Sequence, residues 1–419
     1  MIHKFPYSGF PDLHIPPSCR VSTYTLPKQM SSESDVEIIK SALRSPIGCG
    51  RLYDEIKPGM KITIAVDDSS RSTRTDLMLP IVLEELKDAG VPREDITILI
   101  ALGTHRSMTK EEMESKYTPQ IVANYRIINP DWKDKSSFRE VGVSSRGCPI
   151  RVYAAVPDAD YVIGIGQTIP HMIAGFGGGG KIIVPGCADG DTVGEVHWLS
   201  NEVEEGKLYA VRENAVRNAI DEFALKAGLK FILNDVPDGD GHCLAGAFAG
   251  HPILAHEAAC DAALRACEVK IKEKADIVVS DSYPADLDFW QALKGLNVAY
   301  SAVRAGGTVI LVTPCEEGAS SQHDELTSVG YIRTEQIRLM VEQGRLDKCI
   351  GGNLFLGAQL LDKAQAILVT KGISKDDTRA MGFAWAPDPN AALDMALKRH
   401  GRSASVNILY KASKMICTL

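Results

Sequence analysis

Residues 170–185 read Pro170-His171-Met172-Ile173-Ala174-Gly175-Phe176-Gly177-Gly178-Gly179-Gly180-Lys181-Ile182-Ile183-Val184-Pro185. Glycines fill five of the six positions from 175 to 180. Glycine adopts backbone conformations closed to other residues and lets a ligand approach the main chain closely. A histidine precedes this bare backbone and a lysine follows it at once. The rest of the chain is therefore expected to be organised around a site at this glycine loop.

One known pattern in this segment is that of a phosphate loop, because Gly175 to Lys181 fits G-x-x-x-x-G-K. A phosphate loop needs Ser or Thr after the lysine to hold magnesium, and Ile182 stands there instead. Such a loop also runs into a helix, whereas the β-branched run from Lys181 to Pro185 predicts a strand. An ATP-dependent phosphotransferase is kept as an alternative.

Strand and helix patterns alternate outward from this segment, which is typical of parallel sheets with helices on their faces. One helix, at 77–89, is closed by Gly90, and Thr109 with Glu112 forms a capping box for the next. Strand patterns in this half lie at 61–68, 95–102 and 160–165. The predicted fold class is α/β, with two α/β domains, mainly parallel sheets and an active-site cleft between the domains.

Three polar side chains each follow directly on a predicted strand: Arg71, His105 and His171. Parallel sheets place their ligand sites beyond the carboxyl ends of the strands. Three strands would thus deliver these groups to one edge of the sheet. Convergence at that edge is the strongest functional indication from the residues themselves.

Histidines near loop glycines and strand ends suit acid–base chemistry, since imidazole titrates near neutral pH. His105 and His171 have this setting, and His197 follows a polar turn. A zinc site made of these three imidazoles and water stays open at this point. The other histidines are expected to be structural: His3, His14, His242, His251, His256, His323 and His400.

Lys181 in a glycine-bare pocket could be a covalent anchor, because a desolvated lysine is a nucleophilic amine. The alternative is a surface lysine after a flexible turn. Further along, Gln291 and Lys294 lie one helical turn apart and could reach a carboxylate, or form an ordinary solvated helix face.

A second α/β unit follows the long helix pattern at 252–274. The predicted N-terminal domain covers 1–272 and the C-terminal domain 273–419, while the last strand, 405–409, could return to either. Residues 1–30 contain five prolines and are expected to be an extended arm. Further helices are predicted at 210–227, 287–293 and 334–343, and further strands at 275–280, 307–313 and 364–370.

The whole chain has 419 residues, a formal charge of −8 and 45% hydrophobic residues. This charge argues against a nucleic-acid or anionic-membrane binder. No run of eighteen apolar residues is present, so no membrane span is expected. The ten scattered cysteines contain no C-x-x-C pair and are typical of reduced thiols in a cytoplasmic protein.

Five motifs in order resemble the nickel-pincer-nucleotide-dependent lactate racemases, in both halves of the chain. They are Asp68-Ser69-Ser70-Arg71, Gly103-Thr104-His105-Arg106, the segment from Pro170 to Lys181, His197-Trp198 and Gln291-Ala292-Leu293-Lys294. The resemblance implies a racemase or epimerase of 2-hydroxy acids, with lactate as the default substrate. It also implies hydride transfer through a 2-keto acid to a nickel pincer nucleotide.

The same resemblance implies roles for individual residues. Lys181 would tether the cofactor covalently and His197 would bind its nickel. His105 and His171 would be the two acid–base residues. Contacts to the cofactor would come from Asp68, Ser69, Ser70 and Arg71, and contacts to the substrate from Arg71, Trp290, Gln291 and Lys294.

Two departures from the family pattern are visible. Ser70 stands where threonine is common, and Trp290 stands where lactate-specific members tend to have tyrosine. The second change leaves the substrate open among 2-hydroxy acids. The resemblance also implies separate cofactor-synthesis enzymes as partners, so a recombinant chain could be isolated empty. It is compatible with a homo-oligomer, and a non-catalytic ligand-binding homologue remains an alternative.

Overall fold

The computed structural model describes residues 1–28, 33–204, 206–239, 241 and 243–419. His242, expected to be structural, lies outside the described residues. The chain divides into two compact units, one formed by Lys28–Ala266 and the other by Met1–Pro27 together with Cys267–Leu419. We refer to them as the 28–266 unit and the composite unit.

The secondary structure alternates between strands and helices through most of the described residues. The strands are β1 (Ile2–His3), β2 (Leu13–His14), β3 (Arg20–Thr25), β4 (Ile62–Asp67), β5 (Ile96–Ala101), β6 (Arg126–Ile128), β7 (Phe138–Val143), β8 (Pro149–Tyr153), β9 (Tyr161–Gln167), β10 (Pro170–His171), β11 (Gly175–Phe176), β12 (Leu229–Pro237), β13 (Leu244–Gly250), β14 (Glu268–Lys270), β15 (Ala275–Asp281), β16 (Val303–Val312), β17 (Gln365–Val369), β18 (Ala384–Trp385), β19 (Ser405–Tyr410) and β20 (Ile416–Thr418). The helices are α1 (Asp35–Arg44), α2 (Leu52–Glu55), α3 (Thr75–Asp88), α4 (Lys110–Tyr117), α5 (Pro119–Asn124), α6 (Gly190–Leu199), α7 (Ala215–Lys226), α8 (Leu254–Cys267), α9 (Phe289–Ala302), α10 (Glu325–Ser328), α11 (Thr334–Glu342), α12 (Lys348–Lys363), α13 (Lys375–Ala380) and α14 (Pro389–His400). Among the described residues, none of these helices combines the length and the apolar character needed to cross a bilayer.

The 28–266 unit is built on a six-stranded sheet with the order β13-β12-β9-β4-β5-β6. Its strands are parallel except for β13, which runs antiparallel to β12 at the edge. The central strand β4 is buried over Ile62–Val66 and packs against helix α3 in one hydrophobic core. Burial on both faces explains why these strands are continuous apolar runs.

The composite unit contains a second six-stranded sheet with the order β18-β17-β16-β15-β19-β3. Each neighbouring pair in it is parallel. Its core includes Ile277 and Val279 of β15 and Ile310 of β16. The fold-class prediction of α/β with mainly parallel sheets is confirmed.

The domain limits differ from the predicted ones at both ends. Residues 1–27 belong to the composite unit, because β3 pairs with β19 from Arg20↔Ser405 to Thr25↔Tyr410. The predicted extended arm at the N-terminus is therefore wrong for β3. The predicted boundary at 272 falls at 266, since the helix pattern at 252–274 ends at Cys267 and β14 follows, paired with β20.

The run after the glycine loop is not the predicted strand. Gly179–Ile182 forms a short 3₁₀ helix, and the amides of Ile183 and Val184 both donate to the carbonyl of Gly180 at 3.0 Å. Ile182 lies so close to β9 that a Cβ on Gly164 would come within 2.6 Å of its Cγ2. The β-branched side chains are thus buried by packing onto the sheet rather than by joining it.

Candidate functional site

The carboxyl end of β4 and the loop after β5 bring Asp68 and His105 into direct contact. His105 Nδ1 lies 2.6 Å from Asp68 Oδ2. The other carboxylate oxygen, Oδ1, accepts from the amide and the hydroxyl of Ser70, at 3.1 and 2.6 Å. Asp68 is 4% exposed. The carboxylate is therefore fixed on both oxygens and in turn fixes the imidazole ring.

The electrostatics of this pair determine which ring nitrogen carries the proton. Burial would raise the pKa of Asp68, but the charge and hydrogen bond of His105, with Arg71 and Ser70, hold it well below its ordinary value. Asp68 is then ionised, so Nδ1 of His105 donates to it. In the neutral ring, Nε2 is the basic nitrogen. A ring held this way can take up a proton at Nε2, and the carboxylate stabilises the resulting charge.

The loop that carries Arg71 is anchored from the ends of two strands, β4 and β12, which lie on either side of β9 in the sheet. Thr73 Oγ1 donates to Asp67 Oδ2 at 2.6 Å, and the amide of Arg74 donates to Asp235 Oδ2 at 2.7 Å. Burial raises the pKa of Asp235 to about 7, against the effect of that amide hydrogen bond. Because β4 and β12 both contribute anchors, the loop conformation depends on the sheet rather than on local sequence alone.

The glycine loop is held by three side chains from other elements. Arg217 of α7 donates to the carbonyls of Phe176 and, at 3.3 Å, Gly178. His256 Nε2 of α8 lies 2.8 Å from the carbonyl of Gly177, and Asn234 Oδ1 of β12 accepts from the amide of Gly179 at 2.8 Å. The main chain of the loop is therefore bonded to the protein itself.

The glycines of this loop are required by packing against the protein. A Cβ at Gly179, where φ is +60°, would lie 2.7 Å from His256 Cγ. At Gly178, where φ is +75°, it would lie 2.5 Å from Thr168 Oγ1. A bare backbone open to a ligand was the expectation, and it is wrong at these two positions. The four-residue 3₁₀ turn that contains Lys181 is likewise unlike the helix that follows a phosphate loop.

Lys181 is a partly exposed lysine with an unusually acidic ammonium. Desolvation, then the cations of Arg71 and Arg217, lower its pKa to about 7, against the opposing charges of Asp67 and Asp68. The backbone also joins its segment to the His105 loop, because the amide of Gly103 donates to the carbonyl of Gly186 at 2.8 Å. Lys181 thus stands in the same electrostatic environment as Asp68 and Arg71. Near neutral pH it is a nucleophilic amine.

His171 ends β10, which pairs with β11 through His171↔Gly175. Its Nδ1 accepts from the amides of Ile173 and Ala174, at 3.3 and 3.4 Å. These two long hydrogen bonds orient the ring from the chain that leads into the glycine loop. The predicted position of His171 just past strand β9 agrees with the structure.

His197 lies in the last turn of α6, so the residues before it form a helix and not the polar turn that was expected there. Asp189 caps this helix by accepting from the amide of Thr192 at 2.9 Å. Across the described residues, no three side chains of His, Cys, Asp or Glu come together as a metal site. The three-histidine zinc site left open by the sequence is therefore not formed by the described residues.

The predicted substrate-binding residues of the composite unit share the first turns of α9. Asp288 caps this helix by accepting from the amide of Gln291 at 2.9 Å. Lys294 Nζ donates to Gln291 Oε1 at 2.6 Å, which is the one-turn spacing expected. Trp290 is 8% exposed and stacks on His323, with ring centroids 4.2 Å apart and an angle of 22°.

Sequence reasoning missed the residues that support the glycine loop. His256 was expected to be structural, and it does contact a main-chain carbonyl. That carbonyl belongs to Gly177 of the glycine loop, so His256 supports the candidate site. The sequence did contain a signal for Asn234 and Arg217. Asn234 interrupts the apolar run of β12. Arg217 lies on an otherwise apolar face of α7, at i,i+4 spacing from Asp221, with which it forms an ion pair at 3.3 Å.

Comparison with known families matches both halves of the chain. Residues 8–207 match the lactate racemase N-terminal domain and residues 270–416 match the lactate racemase C-terminal domain. These two ranges together include every residue singled out from the sequence for catalysis, cofactor, metal or substrate.

Similar proteins of known name and structure agree with this match. The lactate racemase of Thermoanaerobacterium thermosaccharolyticum is 31% identical over 293 residues, which are 68% of this chain and 67% of that protein. That of Lactiplantibacillus plantarum is 28% identical over 392 residues, 90% of this chain and 89% of that protein. The solved lactate racemase apoprotein from T. thermosaccharolyticum superposes with a TM-score of 0.86 at 27% identity over 100% of both chains. A Thermotoga maritima protein, with a TM-score of 0.73 and 20% identity over 94% of this chain and 100% of its own, shares the fold.

Proposed function

The chain belongs to the lactate racemase family, and from this we propose that it racemises or epimerises a 2-hydroxy acid with a nickel pincer nucleotide tethered to Lys181. Membership makes it an isomerase of the racemase type. Lactate is the first substrate to consider, because the curated relatives are lactate racemases. Because position 290 is a tryptophan and not the tyrosine of lactate-specific members, larger 2-hydroxy acids are candidate substrates as well.

The observation that carries the proposal is the Asp68–His105 contact, together with a lysine, Lys181, on which the charges of Asp68 and Arg71 act. A lysine whose pKa is lowered to about 7 can react as an amine at physiological pH. A histidine fixed by an ionised carboxylate at 2.6 Å can exchange a proton with a hydroxyl group. Covalent attachment and proton transfer are the two chemistries that the proposed reaction needs from the protein.

The residues of the site fit the proposed cofactor. Lys181 would hold it covalently through its amine, and the imidazole of His197 would be a nickel ligand, since imidazole suits nickel. Asp68, Ser69, Ser70 and Arg71 would contact its polar groups. When bound, the nickel pincer nucleotide would supply the acceptor and donor of hydride, which no protein side chain can provide.

Inversion of a 2-hydroxy acid also requires proton transfer at the hydroxyl group. His105 would take that proton at Nε2 while its Nδ1 donates to Asp68. His171, oriented by its own amide contacts, would exchange the proton for the opposite enantiomer through a planar 2-keto acid. One general acid or base typically contributes about 10²–10⁴-fold to the rate.

Substrate orientation would depend on cationic side chains. The planar guanidinium of Arg71 suits bidentate binding of a carboxylate. Lys294 and Gln291 would add a cation and an amide from α9, and Trp290 would line the space for the substrate side chain. Fixed orientation of this kind makes the reacting carbon available to both acid–base groups.

We further propose that the enzyme works in the cytoplasm, alongside the enzymes that make its cofactor. The support for this is the state of its ten cysteines, all of which are free thiols. Dependence on separate synthesis enzymes would allow a preparation without cofactor.

The test is a screen of single-enantiomer 2-hydroxy acids for loss of optical rotation, with protein made alongside the cofactor-synthesis enzymes. We expect racemisation of at least one of these acids. His105→Ala and His171→Ala should each lower turnover by at least about 10²-fold and should retain nickel. The matched control is His14→Ala, because His14 is an exposed histidine in the composite unit. Turnover that survives in either site variant would refute the two-histidine proposal.

A further inference from the structure

Helix α4 contacts both of the loops that carry His105 and Arg71. At its beginning, Arg106 donates to the two carboxylate oxygens of Glu112, at 2.9 and 2.7 Å. Glu112 also completes the capping box of the helix with Thr109. The residue after His105 is therefore tied to the first turn of α4 by a bidentate ion pair, which is a geometrically specific contact.

At its C-terminal end, the same helix contacts the main chain of the Arg71 loop. Lys116 Nζ donates to the carbonyl of Arg71 at 2.5 Å and to that of Thr73 at 2.9 Å. The hydroxyl of the next residue, Tyr117, donates to the carbonyl of Asp67 at 2.8 Å. Two consecutive side chains thus hold three carbonyls of the segment that presents Asp68 and Arg71.

Lys116 is in an unusual place for a lysine. Desolvation lowers its pKa, against the charges of Asp67, Asp235 and Asp68. Within the described part of the chain, its hydrogen bonds go to main-chain carbonyls rather than to a carboxylate. Removing an ammonium from water is costly unless its donors are satisfied. A lysine that only filled space could be replaced by an apolar side chain of the same length without any loss of order in the Arg71 loop.

We propose that Lys116 is a positioning residue for the reaction: by fixing the carbonyls of Arg71 and Thr73 it sets the direction in which the Arg71 guanidinium meets the substrate carboxylate. The kinetic part of this inference rests on the proposed function, since it uses Arg71 as the carboxylate-binding group. The structural part does not, because it concerns the order of the segment 68–74 in the protein alone.

The structural part is tested by amide hydrogen exchange in Lys116→Met. The amide of Arg71 donates to the carbonyl of Asp68 at 3.3 Å and that of Arg74 to Asp235 at 2.7 Å, so both report on the loop. We expect exchange over 68–74 to be about tenfold faster, since the carbonyls of Arg71 and Thr73 lose their donor. Lys110→Met is the matched control, because Lys110 is on the same helix with 72% of its side chain exposed. Unchanged exchange in Lys116→Met would overturn the proposal.

The kinetic part is tested on the loaded enzyme with the 2-hydroxy acid that it racemises. Lys116→Met should raise KM by about tenfold with a smaller change in kcat, and Lys116→Arg, which keeps two donors, should restore most of the loss. A lower Tm with unchanged KM would mean a purely structural role and would overturn the inference. Should the Met variant not fold, Lys116→Gln is measured instead, and unchanged exchange and KM there would equally overturn it. A wild-type enzyme that racemises no 2-hydroxy acid would refute the proposed function, while hydrogen exchange still decides the role of Lys116.

Discussion

The pKa of Lys181 gives the most specific prediction, because it concerns the protein without cofactor. Its value of about 7 results first from desolvation and then from the nearby cations of Arg71 and Arg217. At pH 8 about 90% of Lys181 is then the free amine, against about 0.3% for a lysine with the ordinary pKa of 10.5. The reactive fraction is thus raised about 300-fold at that pH.

The perturbation is a pH series from 5 to 10 with a trace amount of an amine-acylating reagent, and the assay is peptide mass spectrometry of each lysine. Acylation of Lys181 should rise through a midpoint near pH 7 and level off above pH 8, since the group loses its proton in that range. Lys110 in the same sample, with 72% of its side chain exposed, is the internal control for the amount of active reagent. A midpoint for Lys181 near 10 would refute the argument that its surroundings prepare it for covalent attachment.

Two substitutions test other contacts of the site. Asp68→Asn keeps the shape of the side chain but removes the charge that orients His105, so kcat should fall by about 10²–10⁴-fold with nickel retained; steady-state racemisation within threefold of wild type would contradict this. Gly179→Ala places a Cβ 2.7 Å from His256 Cγ, at a residue whose φ is +60°. The control is Gly59→Ala, because Gly59 also has a positive φ, +90°, but no atom lies within 4 Å of the added Cβ. Gly179→Ala should lower the free energy of unfolding by about 1–3 kcal/mol more than this control. Equal losses in urea denaturation would show that the loop does not need glycine for packing.

The local patterns of the sequence predicted the 28–266 unit well. The strand at 61–68 and the capping box of Thr109 and Glu112 are confirmed as β4 and the start of α4. Gly90, expected to close α3, has a φ of +80° one residue after the C-cap. These features depend on residues close in sequence, so periodicity and capping rules are sufficient to find them.

The errors concern contacts between residues distant in the chain. The pairing of β3 with β19 joins segments nearly 400 residues apart, and no local pattern specifies it. The run from Lys181 to Pro185 has strand composition but forms a turn, because Gly164 leaves room for Ile182 on the face of the sheet. Support of the site by Arg217 and His256 was missed for the same reason, since their partners are backbone atoms of another segment.

The central claim is that Lys181 anchors a nickel-bearing cofactor for racemisation. The most direct measurement is intact mass and nickel content of the protein made together with the cofactor-synthesis enzymes, followed by peptide mapping. We predict a single mass increase that maps to Lys181, about one nickel per chain, and neither of them in Lys181→Arg. An active racemase whose Lys181 peptide is unmodified, or which keeps its nickel in Lys181→Arg, would contradict the account.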